Sequence, residues 1–239
     1  MRTSIYKFIE DPIVFQQQLV CWGQQFREIT FLNSNSFSDE YSNFDCVLAV
    51  DAFTSIKTDH HNAFEDLKQY QQTTKDWLFG YLAYDLKNTE GFLESNNYDG
   101  LDFDDLFFFQ PKKLFFLKAN QLEIQYLYLC DDEIEEDFNE IVRSQNAKIK
   151  NNDKIIINQR ISKENYIHKV SKLLEHIHRG DVYEANFCME FFAEKATIYP
   201  LEKFLKLNEI SQAPFTVFFK NNKQFLLSAS PERLSLIHI

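Results

Sequence analysis

Phenylalanine sets what this chain can fold into. It supplies 25 of 239 residues, in runs such as Leu106-Phe107-Phe108-Phe109 and Phe215-Thr216-Val217-Phe218-Phe219. Rings at this density favour strands around a thick aromatic core over a helical bundle. The length permits one large domain or two small ones. Glycine is scarce: five residues, about 2% against a usual value near 7%. No Gly-rich loop is present to bring backbone against a phosphate or carboxylate.

Charge excludes two classes of partner. With 36 acidic and 25 basic residues the net charge is −11, and no basic run offsets it. Nucleic acid and anionic membranes need a concentrated Lys/Arg face, so neither is expected to bind. No apolar stretch approaches the roughly 20 residues of a membrane span, and the start, Met1-Arg2-Thr3-Ser4-Ile5-Tyr6-Lys7, lacks the pattern of a signal peptide. Cys21, Cys46, Cys130 and Cys188 are scattered without metal-like pairing. They read as buried thiols of a cytoplasmic protein.

Periodicity predicts an α+β chain rich in antiparallel strands. Helices are expected over 13–26 and 63–72, opening in the acidic run Asp131–Asp137 with the stripe Ile134, Phe138, Ile141 and Val142, over the stripe Ile167, Val170, Leu173, Leu174 and Ile177, and from Pro200. Ser162 opens the fourth of these and Gly180 fits the position just past its end. Strands are expected at 29–32, 46–50, 77–84, 106–109 (stopping at Gln110-Pro111), 114–117, 122–129 and 182–192. A hairpin is expected across Lys220-Asn221-Asn222-Lys223. Residues 144–154 are polar and weakly patterned, which suggests a linker. The chain is therefore divided into regions 1–150 and 151–239.

Most candidate chemistry dissolves on inspection. His176 and His178, at i and i+2, point to different sides of a helix and cannot share a metal. The acidic run lacks the spacing of a calcium loop, and Cys188 has no activating neighbour on its expected strand. Two segments remain: Gly180-Asp181-Val182-Tyr183-Glu184-Ala185-Asn186-Phe187 and Ser228-Ala229-Ser230-Pro231-Glu232-Arg233. Taken alone, Glu232 and Arg233 read as an ion pair at a strand end.

Their order and spacing add to that. Ile177 to Asn186, then Ala213-Pro214-Phe215, then Leu227 to Arg233 resemble the start of the chorismate-binding domain. That domain is shared by anthranilate synthase component I, aminodeoxychorismate synthase component I and isochorismate-type synthases. Glu184 departs from the family's Gln. Asn186, where anthranilate synthases tend to be apolar, resembles the aminodeoxychorismate (para-aminobenzoate) branch. Gly80-Tyr81-Leu82-Ala83-Tyr84-Asp85-Leu86 is similar to another family stretch. The segments Phe31-Leu32-Asn33-Ser34 and Tyr41-Ser42-Asn43-Phe44-Asp45 resemble those with which these enzymes bind L-tryptophan.

The resemblance implies a chorismate-utilising β-sandwich with helices outside, incomplete at its C-terminal end. It implies Glu232 as the catalytic acid, and a tryptophan site from Ser34, Tyr41, Ser42, Asn43, Phe44, Pro214, Phe215 and Thr216. No metal ligand is expected within the chain; magnesium ligands belong to downstream family motifs. The implied reaction takes chorismate, with ammonia from a glutamine amidotransferase component II, to 4-amino-4-deoxychorismate for folate synthesis. The 239 residues alone are expected to be inactive. The alternatives are anthranilate synthase component I and a non-catalytic tryptophan-binding module. Residues 234–239, Leu-Ser-Leu-Ile-His-Ile, stand where the family continues with Phe. They match the translation of a transposon-end sequencing adapter and are expected to be non-native.

Overall fold

In the computed structural model, residues 1–37, 43–90, 93, 97–144 and 155–231 are described. They fall into two compact units, Met1–Lys148 with Pro200–Ile239, and Ile149–Tyr199. A C-terminal hairpin joins the first unit by adding its first strand to a strand near the N-terminus.

The first unit is built on one eight-stranded antiparallel sheet. Its strands are β1 (Arg2–Phe8), β2 (Glu28–Asn33), β3 (Cys46–Thr58), β4 (Phe79–Leu82), β5 (Leu106–Lys118) and β6 (Gln121–Leu127), with β9 (Phe215–Asn221) and β10 (Gln224–Ser230) from the C-terminal hairpin. The order is β1-β6-β5-β3-β2-β9-β10, with β4 on the free half of β5. One face carries the helices α1 (Pro12–Gly23), α3 (Ile134–Arg143) and α5 (Pro200–Ser211). Helix α2 (Ala63–Thr74) packs at the far end of β3. The Asp11 side chain starts α1 by accepting the Ile13 and Val14 N–H groups, both at 3.1 Å, and Pro12 occupies the first turn. Leu19, Trp22, Ile141 and Phe204 meet Phe31, Phe115 and Phe218 in the helix-side core.

The opposite face holds a second core of Val47, Ala49, Phe79, Phe107, Phe109, Leu114, Phe116 and Phe219. Within β5 its members change phase, from Phe107 and Phe109 to Leu114 and Phe116, which a flat strand would place on opposite faces. The strand rolls over at Gln110–Lys113. Opposite this point the pairing slips between Ala52 and Thr54, and Asp51 takes a left-handed φ of 60°. Such a bulge bends its strand and sharpens the local twist. Pro111 therefore sits inside β5, at the corner, rather than ending a strand as its sequence suggests. Arg2 restores the polar balance there: its Nη2 donates to the Pro111 carbonyl at 2.5 Å, and its Nε to Asp76 Oδ1 at 2.8 Å. The far halves of β3 and β5, with β4, thus curl over the sheet. That gives the layering of the expected sandwich from one continuous sheet, and the described strands form no second large sheet.

The second unit contains α4 (Lys163–Arg179) and a ribbon of β7 (Asn158–Gln159) with β8 (Phe191–Phe192). Ser162 caps α4 through the Asn165 N–H at 3.2 Å, and Gly180 ends it at φ 85°, both as expected. The expected strand over 182–192 is corrected. Only Phe191 and Phe192 pair as strand, with the Glu190 carbonyl accepting the Arg160 N–H at 3.0 Å beside them, and the preceding residues are irregular. Cys188 is accordingly exposed, and Cys21 is only half-buried; the expectation of four buried thiols holds for Cys46 and Cys130.

Candidate functional site

Pairing of β2 with β9 sets Asn33 opposite Thr216 and Leu32 opposite Val217. Ser34 and Pro214–Thr216, about 180 residues apart in the chain, therefore lie side by side at one end of the sheet. Two side chains hold this junction. Asn35, in a left-handed conformation that Asn tolerates well (φ 50°), places its Nδ2 2.6 Å from the Ala213 carbonyl, 2.8 Å from Asn208 Oδ1 and 2.9 Å from Thr216 Oγ1. Asp45 accepts the Ser34 N–H on its carbonyl at 2.9 Å and the Ala119 N–H on its carboxylate at 2.6 Å. This keeps the neighbouring Phe44 ring over Phe116, at 4.6 Å between centroids. Neither Asn35 nor Asp45 was predicted as a positioning residue, because both act through contacts remote in sequence.

The candidate residues share the junction but not one orientation. Strand alternation puts Thr30, Leu32 and Ser34 on the aromatic face, with Phe215 in step with Val217 and Phe219. Thr216 turns to the helix side, where it is 1% exposed and donates to the Ala213 carbonyl at 3.0 Å. Its side chain is structural at this end of the sheet. Asn43 is exposed and Phe44 half-buried. Tyr41, Ser42 and the catalytic candidate Glu232 lie outside the described residues.

Beside the junction is a cavity of about 360 Å³, walled by Leu32, Phe44, Trp77, Phe79, Phe116 and Thr30 among others. This is within the range of small-molecule pockets, and its aromatic walls with few polar groups fit that class. The buried oxygens Ser34 Oγ, Thr30 Oγ1 and Tyr81 OH have no hydrogen-bond partner among the described residues. Buried hydroxyls are normally paired; of these three, Thr30 is the one in the cavity's described lining. Burial, then the charges of Asp104 and Asp105, push the Tyr81 phenol up to about 12, so it stays a neutral donor. Thr30 and Tyr81 were not among the predicted ligand residues; only the alternation along β2 hinted at Thr30.

In the second unit, the Gly180–Phe187 segment begins with a small polar cluster. Asp181 accepts from Arg179, and one of its oxygens lies 2.7 Å from His176 Nδ1. Those hydrogen bonds, Arg179 first, hold the Asp181 carboxyl below the usual range. Tyr183 is 93% exposed within this unit. Among the described residues no group of three or more His, Cys, Asp or Glu converges as a metal site, so they do not fit magnesium and no magnesium step is assigned to them. No helix among them is long and apolar enough to cross a membrane.

Known proteins share part of this sequence or its fold. The chain is 34% identical over 76 residues to aminodeoxychorismate synthase component 1 of Escherichia coli (strain K12), covering 32% of this chain and 17% of that protein. It is 33% identical over 73 residues to aminodeoxychorismate synthase component 1 of Klebsiella aerogenes, covering 30% and 16%. MenF, the menaquinone-specific isochorismate synthase of Escherichia coli, superposes on 98% of this chain with a TM-score of 0.53 and 11% identity. The chain spans half of that structure's length, and at this identity the likeness is one of fold alone. A family model described as chorismate binding enzyme matches residues 16–238, across both units. On that match, the chain belongs to the chorismate-binding enzymes.

Proposed function

We propose that the chain carries component I sequence of an aminodeoxychorismate synthase. The reaction is chorismate plus ammonia giving 4-amino-4-deoxychorismate and water, with ammonia supplied by a glutamine amidotransferase partner in the cytoplasm. The identity to enzymes named for this activity carries the reading, and Asn186 supports this branch over anthranilate synthesis. In it Glu232 protonates the departing hydroxyl, a role that needs a carboxyl kept partly desolvated. A magnesium requirement belongs to the same reading.

The same proposal gives the β2–β9 junction an amino-acid ligand, L-tryptophan. The aromatic walls take the indole, and Ser34 Oγ with nearby backbone takes the charged ends. The unpaired Ser34 hydroxyl supports this assignment.

The reaction is tested on the protein expressed from its complete coding sequence, given chorismate, ammonia and magnesium, with products identified by mass spectrometry. 4-Amino-4-deoxychorismate is the expected product. Anthranilate or isochorismate as the main product would overturn the assignment.

A further inference from the structure

A second cavity, of about 620 Å³, has no residue of β2 or β9 in its described lining. It is walled by Leu67 and Gln71 of α2, by Phe108 of β5 and by the α2–β4 connection Lys75-Asp76-Trp77-Leu78. Its volume is that of a small-molecule pocket.

Two groups of this lining ionise. The Asp76 carboxylate is committed: Oδ1 accepts from Arg2 Nε and from the Trp77 N–H, both at 2.8 Å, and Oδ2 from Gln110 Nε2 at 2.7 Å. Lys75 is the opposite case, with no ion-pair partner among the described residues of a chain whose net charge is −11. It also ends α2 in a left-handed conformation, φ 48° and ψ 42°, where Gly or Asn is usual. A lysine held there costs stability, and strain kept at a cavity points to a use for the side chain.

Trp77 supplies the second requirement. Its ring packs 5.2 Å from Phe116 and 6.4 Å from Phe79, yet the residue is 45% exposed. A fixed indole beside an uncommitted ammonium suits a flat aromatic ring that carries a carboxylate. Leu67, Leu78 and Phe108 extend the apolar contact. With Asp76 committed to Arg2, the described lining offers no free carboxylate to an ammonium group, which disfavours amino acids.

We propose that this cavity binds an aromatic carboxylate, its ring against Trp77 and Phe108 and its carboxylate on the Lys75 ammonium. The site is separate from the β2–β9 junction and does not rest on the reading of that junction.

The test is calorimetric titration of the 239-residue chain with naphthalene-2-carboxylate and with the neutral naphthalene-2-carboxamide. At low ionic strength the wild type should bind the carboxylate about fivefold more tightly, as expected of a partly exposed ion pair. The preference should shrink in about 0.5 M sodium chloride. Lys75→Asn should abolish it by weakening the carboxylate alone. That variant should melt about 2–4 °C higher than the wild type, because Asn tolerates the left-handed backbone, so its loss is not one of folding. Gln71→Glu, on the exposed surface of α2, should weaken the carboxylate and spare the carboxamide. Wild type that binds neither compound, or both equally, overturns the site. A preference that survives Lys75→Asn, or equal loss of both compounds in it, overturns it as well.

Discussion

The rings of Phe107 and Phe219 lie 6.0 Å apart, although their strands, β5 and β9, are three steps apart in the sheet. Flat strands would separate them by about 14 Å. Tyr81 on β4 reaches the same ring at 5.4 Å. The far half of β5 has therefore folded back over the sheet, and the aromatic cavity lies beneath that fold. Whatever fixes the corner at Asp51 and Pro111 also shapes the candidate site.

Asp51 is the residue at that corner with a left-handed backbone, and its carboxylate accepts from Lys112 at 3.0 Å. That ion pair is partly exposed and contributes little; the backbone conformation matters more. Asp51→Val should cost about 2 kcal/mol, because a branched side chain resists positive φ. Asp51→Gly should cost less than about 1 kcal/mol. Urea unfolding of the two variants checks the order.

Gly80 on β4 admits no side chain: a Cβ there would lie 1.9 Å from the Phe107 carbonyl oxygen, which belongs to rigid backbone. Gly80→Ala should detach β4 from β5 and destabilise by about 3 kcal/mol or more. It should also raise hydrogen exchange at Phe107 and Phe109. An alanine variant as stable as the wild type would show that the curled layer is not packed as described.

Lys113 is a cation buried on the helix side, with Nζ 2.5 Å from both Glu133 Oε2 and Asp137 Oδ2. Tyr126 OH donates to the same Asp137 oxygen at 2.7 Å. Burial alone would lower the Lys113 pKa, but Asp137 and Glu133 outweigh it and hold it above the ordinary lysine value. Burial and then Asp137 raise Tyr126 as well. A raised folded pKa gives stability that is complete below the unfolded value, near 10, and is lost as pH rises through the folded one. The wild type should therefore lose stability steeply in alkali. Lys113→Met should cost about 3–5 kcal/mol by stranding Asp137, and Lys113→Met with Asp137→Leu should recover part of it. Additive losses in denaturant unfolding would contradict the coupling.

Asp76 sets the acid limit at the corner. Burial pulls its carboxyl upward, but hydrogen bonds from Arg2 and Gln110 prevail and hold it below the usual range. A lowered folded pKa gives stability that is present above about pH 3.9 and lost as pH falls through the folded value. Thermal melts from pH 7 to pH 2 should show this loss in the wild type. Asp76→Asn should be less stable at pH 7 and flatter across that range.

Local signals carried much of the architecture. The Ser162 cap, the Gly180 stop, the β9–β10 hairpin and the α1 stripe all depend on neighbours within a few residues, and all stand in the structure. Long-range choices were not legible in the same way. Nothing near Phe215 announces that β9 pairs with β2, or that Asn35 reaches Thr216. Pro111 looks like a strand end because its effect depends on the bulge in a partner strand some 60 residues away. Residues 182–190 have strand-like composition, but none of them is in a strand among the described residues. Of the candidate residues, Ser34 and Phe215 come from the family resemblance, and the β2–β9 pairing sets their segments side by side. Thr30 and Tyr81 emerge only once burial shows their hydroxyls unpaired.

The pocket at the β2–β9 junction is tested most directly by calorimetric titration of L-tryptophan into the wild-type chain and into Ser34→Ala. Saturable binding at one site is predicted for the wild type. The alanine variant should bind about tenfold or more weakly, from a lost hydrogen bond of about 1–3 kcal/mol to a charged ligand group, with a melting temperature no lower than the wild type's because the Ser34 hydroxyl has no partner to lose in the empty protein. Heats of dilution alone with the wild type, or equal affinity in the two proteins, would contradict it.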